Sequence, residues 1–426
     1  MDTALPATPP SSISPAIPPT ERFDSVDLIR GVAVCGILLM NIVSFAMPAA
    51  AYLNPEAYLG DRLSSHIVNA FTHVFADQKF MGLFSLLFGS SVMLFITKLR
   101  ARGGGCKRYY YSRTTWLLIF GLLHGLFLWE GDILFYYALC GFFLYPFWRL
   151  SPSLQLTLGL TVFLSAIFID RMGQEFIESL PDLSLETLGR IWSPSEMDVR
   201  LETTVRLMGY SEQLAYRTHL PGAYSEYTTS FISNVYLAQG LARAFGLMLV
   251  GMAFYSWGIV TAQRSASFYR HAALGGLAFG LPLATWGLWR NYAQGWDISY
   301  GLFAGLSLNH LATPLLVFAY LGIIISIHIQ QRLGRLRHGL CAIGRMAFTN
   351  YIGQSMICTF IFYGFGLALF GQLDRLQLLV VVLTVWVCQF YFSLWWLRYF
   401  QYGPLEWLWR ALTYFRLPGI RQANRD

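Results

Sequence analysis

Residues 26–48 read VDLIRGVAVCGILLMNIVSFAMP, and their only charged side chains are Asp27 and Arg30. The run exceeds the ~20 residues that carry a helix across the hydrocarbon core of a bilayer. Stretches of the same kind recur near 80–99, 113–130, 132–149, 153–169, 233–260, 271–290, 301–329, 343–371 and 376–400, which makes ten spans with the first. Composition agrees: 55% of the residues are hydrophobic and 12% charged, against ~25% charged in a soluble domain. A soluble chain of 426 residues could not hide that much apolar surface and still face water. The expected fold class is therefore all-α: a polytopic membrane protein of about ten transmembrane helices, with the lipid bilayer as its solvent. Short amphipathic helices are expected in the outer loops and at the C-terminus. An ordinary soluble enzyme, a disordered regulator and a fibrous protein are excluded.

The charges give an orientation. With the N-terminus inside, 19 of the 30 Lys and Arg residues fall on the cytoplasmic side, nine on the other and two, Arg30 and Arg243, within spans. This is the asymmetry of the positive-inside rule. The net charge of +7 then reports topology, and no nucleic-acid partner is implied. Both termini are expected in the cytoplasm. Residues 1–21 are rich in proline and read as a disordered cytoplasmic tail. Two five-span halves, 22–170 and 233–416, flank an outer helical region at 171–232, and 417–426 form a second tail. The six cysteines show no metal-ligand or disulfide spacing, so no metal is expected.

Ionisable and amide side chains inside spans are costly, so they mark cavities or partners. Asp27, Arg30 and Asn41 share one face of the first span, as a structural ion pair with an amide contact or as a cavity wall. His66 and His73 share a face of a short helix that leads through Asp77, Gln78 and Lys79 into the second span. Each histidine is a candidate general base, since imidazole titrates near working pH, or an interfacial residue in water. His124 ends the third span one turn below Glu130 and Asp132, an acid/base arrangement if the side chains converge and a polar helix cap otherwise. Tyr236, Gln239 and Arg243 share a face, and buried Arg243 needs an anion, carbonyls or water. Asn309, His310 and Thr313 lie in the eighth span. Arg345, Thr349, Asn350, Gln354 and Ser355 form a polar stripe in the ninth, suited to helix contacts or to a cavity. Pro404–Tyr414 reads as an amphipathic helix with Glu406, Arg410 and Thr413 on its polar side. Nucleotide-binding, zinc-protease and serine-elbow motifs are absent.

Five ordered motifs carry a resemblance: DLIRGVAVCGILLMN at 27–41, KFMGLFSLLFG at 79–89, GLLHGLFLWEGDILFYYA at 121–138, GRMAFTNYIGQS at 344–355 and GPLEWLWRALTY at 403–414. Together they resemble the YeiB family of bacterial inner-membrane proteins over roughly residues 22–416. The N-terminal half is similar to transmembrane acyltransferases of the heparan-α-glucosaminide acetyltransferase kind. Those enzymes move an acetyl group from cytosolic acetyl-CoA to an amino sugar across the membrane. A histidine after the first span acts in catalysis there, and the matching region here is His66 to Asp77. The resemblance implies an acyl-CoA donor and a small-molecule, glycan or lipid acceptor at the outer face. His73, His66 or His124 would be the base, oriented by Asp132 or Asp77. Asp27, Arg30, Asn41, Lys79, Arg243, Arg345, Asn350 and Gln354 would hold the donor and neutralise charge. A transporter or flippase of a small amphiphile, and a non-catalytic lipid- or quinone-binding protein, are the alternatives. Homodimerisation is a further expectation, from the many aromatic faces.

Overall fold

The computed structural model describes residues 23–60, 62–101, 103, 105–181, 188–218 and 227–421. The expected tail at 1–21 lies outside them, as do residues 422–426 of the second tail. The longer helices are α1 (Asp24–Ala46), α2 (Leu63–Phe75), α3 (Lys79–Ala101), α4 (Cys106–Phe127), α5 (Leu134–Leu144), α6 (Pro152–Glu178), α7 (Glu196–Arg206), α8 (Tyr210–Thr218), α9 (Tyr227–Ser256), α10 (Ala266–Ala293), α11 (Ser307–Ile329), α12 (Gly334–Arg345), α13 (Ala347–Phe362), α14 (Arg375–Tyr399) and α15 (Pro404–Tyr414). Among the described residues the extended structure is confined to an isolated bridge between Phe400 and Arg421. The chain is an all-α polytopic membrane protein.

Among the described residues, seven helical segments are long and apolar enough to cross a bilayer: α1, α2 with α3, α6, α9, α10, α11 with its preceding turn, and α14. The other three expected spans take different forms. The stretch 113–130 belongs to α4, whose first two turns carry Lys107, Arg108 and Arg113. The stretch 132–149 yields α5, of 11 residues, ~17 Å long at the helical rise, and a 3₁₀ turn at Tyr145–Arg149. The stretch 343–371 breaks at Met346 between α12 and α13, and beyond Phe362 the chain folds back, with Leu367 N–H bonded to the Phe360 carbonyl at 2.7 Å.

Helices in lipid gain little from apolar contact alone, so close backbone approach and interhelical hydrogen bonds hold them together. α9 packs along α3 and α6. A Cβ at Gly251 would run into the carbonyl of Leu86, and one at Gly89 into the carbonyl of Met248. Ser90 Oγ donates to the Gly251 carbonyl at 2.8 Å in the same seam. α1 meets α12 in the same manner, with Gly31 against the Leu340 carbonyl and Gly344 against that of Asp27.

Two elements close the ends. At one end, here the cap end, Arg206 of α7 pairs with Glu130 at 2.5 Å. Tyr210 donates to the Phe127 carbonyl at 2.9 Å, and Glu202 accepts from Ala49 N–H at 3.1 Å. At the opposite, tail end, α15 packs against α4 and α13. Trp409 Nε1 donates to the Arg113 carbonyl at 2.9 Å, and the Arg113 guanidinium sits 3.9 Å over the Trp409 ring. Glu406 accepts from the N–H groups of Phe348 and Thr349 at 2.7 and 3.1 Å and from Thr349 Oγ1 at 2.5 Å. A carboxylate there satisfies orphan donors at the start of α13 and faces the positive end of the helix dipole. The polar side of α15 is therefore docked onto the bundle, with Thr413 buried. Glu406→Ala should cost about 1–3 kcal/mol, because it strands donors without an acceptor. Thermal unfolding of the purified protein in detergent checks this, and an unchanged melting temperature would refute the docking role.

Candidate functional site

Three of the polar residues converge under the cap. α4 ends where the N–H groups of Leu128 and Trp129 both bond to the His124 carbonyl at 2.9 Å. The chain then turns tightly into α5. The turn fits because Gly121 has no Cβ: one there would strike Phe135 N and crowd Asp132 Oδ2. Asp132 Oδ2 accepts from Phe135 N–H at 2.6 Å, which fixes the carboxylate at the head of α5. Its Oδ1 lies 2.7 Å from His124 Nδ1. On the other side of the ring, His124 Nε2 lies 2.8 Å from Ser355 Oγ of α13. His124, Asp132 and Ser355 are 2%, 7% and 1% exposed, so water competes little for these bonds. An ionised Asp132 holds the imidazole proton on Nδ1 and leaves Nε2 to accept the Ser355 hydroxyl proton. Tyr351, one turn before Ser355, stacks obliquely with its ring centre 5.3 Å from that of His124. Its hydroxyl accepts from Ile133 N–H at 3.2 Å.

A second buried group forms where α2 and α3 meet α9 and α11. Asp77 is the hub. Asn309 Nδ2 donates to Asp77 Oδ2 at 2.8 Å, while Asn309 Oδ1 accepts from Lys79 Nζ. Gln78 Nε2 donates to Asp77 Oδ1 at 3.1 Å, while Gln78 Oε1 accepts from Arg243 Nη1 at 2.6 Å. One amide thus stands between the carboxylate and each of two cations. Lys79 also donates to the His73 carbonyl at 2.8 Å, and His73 Nδ1 lies 3.8 Å from Asp77. Beside this group His310 Nδ1 meets Asp170 Oδ2 at 2.7 Å, with both residues 1% exposed.

The remaining candidates lie elsewhere. His66 bonds Tyr292 OH through Nδ1 at 3.0 Å, apart from His73 and Asp77. Arg30 donates to Asp27 and to Ser91 of α3, each at 3.1 Å. Asn350 donates to Ser393 at 3.0 Å and to the Ile343 carbonyl at 3.2 Å. Gln354 donates to Gln389 at 3.0 Å and to the Val34 carbonyl at 3.2 Å. These two amides join α13 to α14 and α1. Arg345 reaches the Gln401 carbonyl at 3.4 Å, and Asn41 is half-buried on α1. The Asp170–His310 pair is absent from the sequence-derived candidates. The sequence reading ends the fifth span at 169, just short of Asp170, whereas α6 continues to Glu178. The rule that intramembrane acids need partners would have found it.

A family profile described as "Protein of unknown function (DUF418)" matches residues 254–416. The chain is 33% identical over 396 residues to "Uncharacterized protein YeiB" of Escherichia coli strain K12, covering 92% of this chain and 96% of that relative. The chain belongs to the YeiB family. A YeiB-family relative in Bacillus subtilis strain 168, "Uncharacterized protein YxaH", is 27% identical over 426 residues, 97% of this chain and 100% of the relative. An "Uncharacterized 39.9 kDa protein in amylase 3'region" of Bacillus acidopullulyticus is 27% identical over 396 residues, 93% and 95% of the two chains. No solved structure matches. Bacterial YeiB-family relatives and apolar helices together mark a bacterial membrane protein. His124 and Asp132 belong to one of the motifs that carry the family resemblance, and Ser355 to another.

Proposed function

We propose that this YeiB-family protein is a membrane-embedded acyltransferase. It moves an acyl group, such as acetyl, from a cytosolic acyl-CoA to a hydroxyl or amine acceptor at the outer face of the inner membrane. One observation carries the reading: a buried imidazole, bonded at Nδ1 to Asp132, presents Nε2 to a hydroxyl at 2.8 Å. A base held in one tautomer in a dry site is suited to deprotonating the attacking oxygen or amine of an acyl transfer. His124 is the base and Asp132 orients it.

The charge distribution supports the direction of transfer. Cations gather at the tail end, which the positive-inside asymmetry puts in the cytoplasm with both termini. There the Arg113 guanidinium sits 3.9 Å over the Trp409 ring and that of Arg410 4.6 Å over the Tyr402 ring, cations suited to the phosphates of a coenzyme A. Arg113 and His124 lie on the same helix, ~16 Å apart along its axis. An extended pantetheine arm bridges such a span, so nucleotide and thioester can be held at the two sites together.

Acetyl-CoA should raise the melting temperature of the purified protein, since a ligand at ~100 times its Kd adds about 2.7 kcal/mol. Arg113→Ala combined with Arg410→Ala should remove most of the shift, measured relative to that variant's own unliganded baseline. A shift with quinone and none with acetyl-CoA or CoA would overturn the acyltransferase reading.

A further inference from the structure

We infer that Ser355 carries the acyl group covalently, so that transfer proceeds in two steps through an acyl-serine. The inference rests on the acyltransferase reading above and adds to it the identity of the nucleophile. The geometry argues for it. The Ser355 hydroxyl bonds the nitrogen of His124 that Asp132 leaves free to accept a proton. A base that served only an external acceptor would have Nε2 facing the acceptor's position, yet here the protein fills that position with its own oxygen. Ser355 is held within α13, and Thr359 Oγ1 bonds its carbonyl at 2.8 Å. This preorganises the nucleophile at its base.

Burial adds a second argument. α4 and α13 meet at the Phe120–Phe348 ring contact, 5.2 Å between centres, and at the His124–Ser355 bond. Leu123, Phe127, Met356 and Phe360 on the outer sides of this seam are 48%, 41%, 57% and 53% exposed. Ser355 itself is 1% exposed, so in this scheme the side chains of the seam part to admit the thioester arm and the acceptor. A covalent intermediate lets donor and acceptor use one seam in turn, so the two need not be bound together.

In the first step Ser355 Oγ attacks the thioester carbonyl as its proton passes to His124 Nε2. The tetrahedral oxyanion collapses, the carbon–sulfur bond breaks, and His124 returns the proton to the departing sulfur. Acyl-serine and the free CoA thiol result. In the second step the acceptor hydroxyl or amine gives its proton to His124 and attacks the ester carbonyl. Ser355 Oγ leaves and takes the proton back. Tyr351, whose hydroxyl accepts from Ile133 N–H, has its own proton to offer the oxyanion.

The test uses the full-length protein in detergent with radiolabelled acetyl-CoA and no acceptor, acid-quenched over a time course and mapped by peptide mass spectrometry. The expected result is one acetyl group on the peptide containing Ser355, with one equivalent of CoA thiol released in a burst. Ser355→Ala should abolish the adduct and lower transfer at least about 10³-fold while melting near the wild type. Ser355→Cys should carry the label as a hydroxylamine-sensitive thioester. If wild type transfers acetyl with no Ser355 adduct at any time, or Ser355→Ala transfers within threefold of wild type, the covalent step is wrong and the acyltransferase reading survives. If wild type releases no CoA thiol with any acceptor, both fail.

Discussion

Asp132→Asn should lower acyl transfer by about 10²–10⁴-fold while leaving the melting temperature within a few degrees. The asparagine keeps the size of the aspartate and can still accept from Phe135 N–H. It no longer carries the charge that fixes the proton on His124 Nδ1, so the ring can place its proton on Nε2 instead. In that tautomer Nε2 donates to Ser355 and cannot accept from it. The loss should fall on kcat more than on KM, since the Arg113 end of the donor is untouched. His66→Ala is the control: its ring bonds Tyr292, away from Ser355, and transfer should stay within about threefold. Steady-state kinetics with a thiol-release assay decides the matter. If Asp132→Asn retains wild-type kcat, the pair with His124 serves only to brace the α4–α5 turn.

Gly251→Leu should have the largest effect on folding. The side chain would start inside the backbone of Leu86, and the carbonyl it meets belongs to a helix that cannot step aside. α3 is fixed by Ser90 to the same glycine and by Gly89 to Met248. Overpacking of this kind costs 1–3 kcal/mol or more even where side chains can yield. Here α3 and α9 must separate along their whole seam, which also draws Gln78 away from Arg243. The expected outcome is loss of the monodisperse peak in size-exclusion chromatography. Gly275→Leu is the matched control, since a Cβ there meets nothing within 4 Å. Equal behaviour of the two variants would mean that the close approach does not hold the bundle together.

Much of this fold is legible in the sequence, because lipid imposes one simple requirement on each crossing segment. Residues 26–48 satisfy it openly and form α1. The reading blurs where neighbouring chain replaces lipid as the environment. α5 stops at Leu144 because Pro146 lacks the N–H that would continue it and the chain tightens into a 3₁₀ turn. α13 begins where Glu406 of α15 satisfies its first N–H groups, a partner that local composition does not reveal. The candidate site divides in the same way. His124 and Asp132 are eight residues apart, so a turn brings them together and the spacing announces it. Ser355 is 231 residues from His124 in sequence, and nothing in the stripe Thr349–Ser355 distinguishes the serine that faces an imidazole from the amides that face α14. Asn350 and Gln354 look equally functional on paper, and their bonds go to neighbouring helices.

The contact between Glu406 and the start of α13 ties the C-terminal helix to the helix that carries Ser355. Thr349, gripped by Glu406, and Ser355 are less than two helical turns apart, ~9 Å along α13. With the Asn350 and Gln354 bonds to neighbouring helices, Glu406 helps to fix the rotational phase at which the serine hydroxyl meets His124. A turn of α13 about its axis by ~10–20° is enough to spoil such an alignment. The C-terminal helix is thus a set-screw at the tail end, and its tightness is felt by the hydroxyl deep in the bundle.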